Sequence, residues 1–181
     1  MNRVPLIEHS EASGEAQHLL EQINSAFGAT PNMFRAVANS SASLKSMWGS
    51  FVALGQGGIP AKLGEQIAVA IADRNRCDYC LAAHTVLGKK AGATEQEMAA
   101  AQAGQSEDGP TQAALRFATK IVDNRAQVSG EDVQSLRDAG FSDEAVVEIL
   151  AHVALNLFTN YVNVALDVPL DFPKVRLQPA A

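Results

Sequence analysis

Apolar residues recur at spacings of three and four along nearly the whole chain, and β-branched residues rarely alternate with polar ones. That period belongs to helices with one buried face. Glycine and proline interrupt it, so the chain is read as a series of short helices. The first is expected at about 11–27, with Leu19, Leu20, Ile23 and Phe27 on one face. The run from Gly28 to Asn32 ends it, and Pro31 suits the first turn of a new helix with Thr30 as its cap. A helix at about 43–55 carries Leu44, Met47, Trp48, Phe51 and Leu54, and Gly57-Gly58-Ile59-Pro60 stops it. Helices at 61–75 and about 77–91 follow, the latter closing at Gly92. Thr94-Glu95-Gln96-Glu97 has the spacing of a capping box. Gln102 to Pro110 is read as a loop, before helices at about 111–124, 130–139 and 142–161, with Ser129 and Ser142 as caps. The tail from Asp167 to Pro173, with two prolines, is read as an extended arm. The expected fold class is all-α: a compact helical bundle with a C-terminal arm.

Composition excludes some functions. The chain has 181 residues, 47% of them hydrophobic, enough for a real core in one domain. A formal net charge of -6 and no run of Lys or Arg leave no footprint for nucleic acid. No apolar stretch is read as a membrane span. The N-terminal residues lack the apolar core of a secretory signal, and the two cysteines form no disulfide framework. The expected compartment is a reducing cytoplasm.

Those two cysteines lie three apart, with a histidine four further on: Cys77-Asp78-Tyr79-Cys80-Leu81-Ala82-Ala83-His84. A disulfide across so short a loop constrains the unfolded chain little, so it is a poor staple. The spacing instead suits dithiol redox chemistry, in which one thiolate attacks and the other resolves. If the helices at 61–75 and 77–91 form an antiparallel hairpin, Glu65 and His84 sit at similar heights on facing helices. Cys80 and His84 are one turn apart on the same face, and Cys77 lies on it too. Carboxylate, imidazole and thiol would then line up, with the base taking the thiol proton and the carboxylate orienting the base. The residues alone leave the nucleophile open. The positive end of a helix dipole favours Cys77, nearest the N-terminus, whereas contact with His84 favours Cys80.

Leu63-Gly64-Glu65, Ile67-Ala68-Val69-Ala70, the Cys77 to Cys80 motif and His84 together resemble the carboxymuconolactone decarboxylase superfamily, in its alkylhydroperoxidase D-like branch. Eleven residues separate Glu65 from Cys77, as that branch's signature requires. The core resemblance covers about residues 44–125, between an N-terminal helical extension at 1–43 and C-terminal helices and arm at 126–181. Thr30-Pro31-Asn32-Met33-Phe34, Asn160-Tyr161-Val162-Asn163 and Asp171-Phe172-Pro173 resemble the longer peroxidase-related members. The resemblance implies a thiol peroxidase that reduces small hydroperoxides without a cofactor or metal. It implies Cys80 as the peroxidatic thiol, Cys77 as its resolver, and His84 with Glu65 as the proton relay. It further implies a dithiol or thioredoxin-like reductant and a homo-oligomer, trimeric or hexameric. Tyr79 departs from members that carry histidine between the cysteines. It is a poorer proton acceptor, though it can donate a hydrogen bond.

Other readings stand beside this one. Free cysteines are often small buried hydrophobes. A closed zinc site on Cys77, Cys80 and His84 needs a fourth ligand, for which His152 is the one distant candidate. The superfamily's lactone decarboxylation or isomerisation needs no cysteine, and a redox-sensing interaction protein would use the same disulfide as a switch. His152, Asn156, Asn160 and Asn163 trace a polar stripe along the otherwise apolar last helix. It is expected to satisfy buried groups, to meet another subunit or to line a substrate pocket. The apolar side chains of the arm are expected to dock on a neighbouring subunit.

Overall fold

The computed structural model describes residues 2–179. Among these residues the chain forms nine helices: α1 (Gly14–Phe27), α2 (Asn32–Val37), α3 (Ser41–Leu54), α4 (Ala61–Arg74), α5 (Asp78–Lys90), α6 (Glu95–Gln102), α7 (Gly109–Asp123), α8 (Gly130–Asp138) and α9 (Asp143–Leu166). No strand occurs among them, and the expected all-α class is what is found. Helix α4 lies at the centre, packed against α5, α6, α7 and α9. Its stretch from Gln66 to Ala72 is buried on every side, since neighbours surround it. Short alanines at 68, 70 and 72 let those neighbours approach closely.

Local chemistry explains most of the boundaries. Ser40, Thr94, Asp108, Ser129 and Ser142 each accept a hydrogen bond from the backbone N–H three residues on, satisfying a donor that the helix leaves orphaned. Thr94–Glu97 forms the expected capping box, and Ser129–Asp132 forms a second. Helix α7 begins two residues before the expected start, because Asp108 caps it and Pro110 fits its first turn.

Thr30 does not cap α2. Its hydroxyl turns back to Asn24, and Asp171 of the C-terminal arm caps the helix instead, its Oδ2 2.7 Å from the Asn32 N–H. The arm is extended as expected, but it docks on its own chain. Asn32 donates to Pro169 O, Gln102 donates to Arg176 O, Gln178 N donates to Asp73, and Arg76 donates to Gln178 O. An arm without internal hydrogen bonds must find partners for its backbone, and the ends of α2, α4 and α6 supply them.

Helix α9 also differs from expectation. At 24 residues it is long and apolar enough, by length and composition, to cross a membrane. Its polar stripe faces inward, with Asn156, Asn160 and Asn163 buried, while Val147, Leu150, Phe158, Tyr161 and Val164 face out. Tyr161 is 61% exposed and Val147 64%, so the usual polarity of a surface helix is inverted.

Candidate active site

The site is built where α4 turns into α5. Arg76 takes a left-handed conformation (φ 56°), which lets its own N–H reach Asp73 O and the Cys77 N–H reach Ala72 O. The chain then reverses, and Cys77 becomes the N-cap of α5. Its sulfur accepts from the Cys80 N–H at 3.2 Å, a place usually taken by a serine or aspartate oxygen. Cys77 and Cys80 are joined as a disulfide with Cα atoms 5.3 Å apart, so the structure holds the oxidised dithiol. Both residues are almost completely covered.

The antiparallel hairpin places Glu65 of α4 opposite His84 of α5, with Oε2 2.7 Å from Nδ1. Gly88, one turn beyond His84, permits this approach. A Cβ there would stand 3.3 Å from Glu65 Cβ and 2.5 Å from the Met98 thioether. Among the described residues the hydrogen bond to Cys80 Sγ comes from Asn163 Nδ2 of α9, at 3.2 Å, rather than from His84. The sequence shows Asn163 as one position of the polar stripe and of the segment that resembles the longer peroxidase-related members, without pointing to the sulfur. Asn160, next on that stripe, accepts from Asn75 in the α4–α5 turn, so α9 braces the turn and the sulfur together.

Tyr79 acts structurally. Its hydroxyl accepts from the Met33 N–H at 3.2 Å, and its ring meets Phe172 edge-on at 5.6 Å. Burial pushes its phenol far above its usual value. The Met33 N–H opposes this, while a hydrogen bond to Asp171 adds to it. The phenol therefore stays protonated and ties α2, α5 and the arm together.

Two cavities flank His84. The front one, about 40 Å³, is lined almost wholly by apolar groups, including Phe27, Phe34, Phe51, Leu87 and Phe172, with Cys80, His84 and Asn163 at its polar end. The rear one, about 170 Å³, is lined by Glu65, His84, His152 and Asn156 among apolar neighbours. The structure thus brings Cys77, Cys80, Glu65 and His84 into one site. His152 lies on its far side, away from the sulfurs. Among the described residues no group of three or more His, Cys, Asp or Glu side chains is placed to hold a metal ion.

Residues 42–123 match the carboxymuconolactone decarboxylase family. The match spans α3 to α7 and so includes Glu65, both cysteines and His84. The fold is alkylhydroperoxidase D-like. It is similar to a peroxidase-related alkylhydroperoxidase core protein from Ralstonia eutropha JMP134, with a TM-score of 0.86 and 22% identity over 94% of this chain and 92% of that one. A peroxidase-related protein from Silicibacter sp. TM1040 is similar with a TM-score of 0.79 and 24% identity over 93% and 91%. The debrominase Bmp8, in complex with 2,3,4-tribromopyrrole, is similar with a TM-score of 0.80 and 23% identity over 93% and 91%. No curated protein sequence matches the chain.

Proposed function

We propose that the protein is a thiol peroxidase with Cys80 as the attacking sulfur. The supporting observation is that Cys80, and not Cys77, lines the apolar front cavity, where the Asn163 amide donates to its sulfur. The N-cap position gives Cys77 a better electrostatic claim to the thiolate, but a nucleophile that substrate cannot reach does no chemistry. Access therefore outweighs the dipole.

In the reduced protein, His84 takes the Cys80 thiol proton, and Glu65 on Nδ1 stabilises the resulting imidazolium. The thiolate attacks the terminal oxygen of a hydroperoxide and the O–O bond breaks. Cys80 becomes a sulfenic acid, and the departing alkoxide takes the proton from His84 to leave as an alcohol. The Cys77 thiolate then attacks the Cys80 sulfur. The S–S bond forms, the S–O bond breaks, and the departing hydroxide takes the proton that Cys77 gave up and leaves as water. An external dithiol, of thioredoxin-like type, restores both thiols by two exchanges through a mixed disulfide. The chain works as a homo-oligomer joined through the outward face of α9.

Steady-state turnover across hydrogen peroxide, bulky organic hydroperoxides and several dithiols tests this reading. A recycling peroxidase consumes many equivalents. A redox-sensing switch oxidises once and stops. Reductive debromination forms one arm, because the four phenylalanines that wall the front cavity offer apolar faces on which a brominated aromatic ring can pack. Turnover of 2,3,4-tribromopyrrole without turnover of any peroxide would replace the proposal. Lactone decarboxylation is less well supported, since no Lys or Arg lines either cavity to hold a substrate carboxylate.

A further inference from the structure

The rear cavity contains polar atoms that the proposed chemistry does not use. His152 Nε2 and Asn156 Oδ1 are buried and have no hydrogen-bond partner among the described residues. Both residues line the cavity with Glu65 and His84. Orphaned buried polar atoms are costly, and native proteins satisfy them with ordered water where room exists. At about 30 Å³ per water, a cavity of about 170 Å³ has that room.

The placement of His152 depends on one residue. Gly64 has no side chain, and a Cβ there would lie 3.4 Å from His152 Cε1. The imidazole therefore packs on the backbone of α4 directly beside Glu65. One turn earlier on α9, Glu148 accepts from the Gly58 and Ile59 N–H groups, which pins the 55–60 loop over this end of the cavity. His152 is only half-buried, so it stands between the cavity and the surface.

We infer that His152 is the outer member of the proton relay, exchanging protons between solvent and the Glu65–His84 pair through water in the rear cavity. This rests on the thiol-peroxidase reading of the front cavity. The proton that His84 gives to the alkoxide must be regained when an external thiolate remakes the dithiol, and the front cavity, nearly all apolar, offers no polar route for it. On the rear side, His152 accepts a proton at one ring nitrogen and releases one at the other to cavity water, from which it passes through Glu65 to His84 Nδ1. Only the proton moves, and no oxidant or reductant enters the step. The groups facing His152 are Glu148 on its own helix, Glu65 on α4 and His84 on α5. Burial lowers its pKa, which Glu148 and Glu65 oppose and His84 reinforces, so the ring is a neutral shuttle near pH 7.

The test uses the reduced full-length protein with 15N-labelled histidine and reads exchange of the His84 Nδ1 proton with water by NMR. In His152→Ala, exchange near pH 7 is expected to slow by about ten-fold or more, and added imidazole should restore it by entering the vacated space. His152→Leu should slow exchange without rescue, because leucine fills that space. Unchanged exchange in His152→Ala, or a loss in folded His152→Ala that imidazole does not repair, overturns the inference. Single-turnover oxidation by cumene hydroperoxide is measured on the same samples. A wild-type protein that ignores the peroxide, while its imidazole exchange depends on His152, would sink the peroxidase reading and leave the relay standing.

Discussion

At the scale of single residues, the polar groups gathered around Cys80 come from different parts of the chain. Cys77 is three positions away, His84 is four, and Asn163 is 83. The first two are legible in a sequence, because helix geometry fixes what lies one turn apart. Glu65 is nearly so, since a hairpin with a three-residue turn sets its height. Asn163 is not, because nothing local says which buried polar group a distant amide will meet. Tyr79 packs, its hydroxyl serving Met33 and the arm. Cys80→Ser should abolish peroxide consumption. Cys77→Ser should stop after one oxidation and leave a sulfenic acid at Cys80 that mass spectrometry can trap; trapping it on Cys77 in Cys80→Ser would reverse the roles. Asn163→Leu removes a donor to the thiolate, and hydrogen bonds to charged groups are worth about 1.5–3 kcal/mol. Alkylation of Cys80 near pH 7 should therefore fall by ten-fold or more, and the deficit should close as pH rises past the free thiol value. A deficit constant from neutral to alkaline pH would show that Asn163 only packs.

At the scale of elements, most helices could be read from their period and caps, and the misses have physical causes. Helix α2 is only six residues long, and its N-terminus is satisfied by Asp171, 139 positions away from Asn32. A capping search along the sequence cannot find that carboxylate. The α4–α5 contact depends on Gly88, so Gly88→Ala should force the helices apart at Glu65. Overpacking of this kind typically costs about 1–3 kcal/mol, measurable by denaturant unfolding. Because the flexible end of Met98 can yield more easily than Glu65 Cβ, activity should suffer more than stability. Unfolding that matches wild type together with full activity would refute this packing account. Helix α8 carries a pH dependence of its own. Lys120 and the Ser129 N–H hold the Asp132 carboxyl down to about 2, against 3.8 when free. A folded value below the unfolded one means that its contribution is complete above 3.8 and is lost as pH falls toward 2. Asp132→Asn should remove that part of the acid sensitivity, read as a flatter unfolding midpoint across this range.

At the scale of the whole molecule, α9 turns its amides inward and its apolar side chains outward. Along the outer face, Val147, Leu150, Phe158, Tyr161 and Val164 are exposed at helical spacing. That stripe is too continuous for scattered surface apolar residues, and a second copy of the chain is the occupant we expect. Sedimentation should give a multiple of 19.1 kDa, and Val147→Asp with Tyr161→Asp should shift it downward. A wild-type monomer at micromolar concentration, or a protein that partitions onto lipid vesicles instead, would contradict this assembly. Loss of the arm should act differently. Deletion after Asp167 removes Asp171 and Phe172, which hold α2 and Tyr79 over the front cavity, so Cys80 should alkylate faster while the mass per particle changes only by the missing segment. The arm also sets an order of events during synthesis. Chains emerge from the ribosome N-terminus first, so both sulfurs are made well before Asp171, Phe172 and Gln178. Until those residues emerge, a nascent chain carries its cysteine pair uncovered, open to any oxidant or thiol nearby. The cysteine pair is covered only once the arm has been made and has docked.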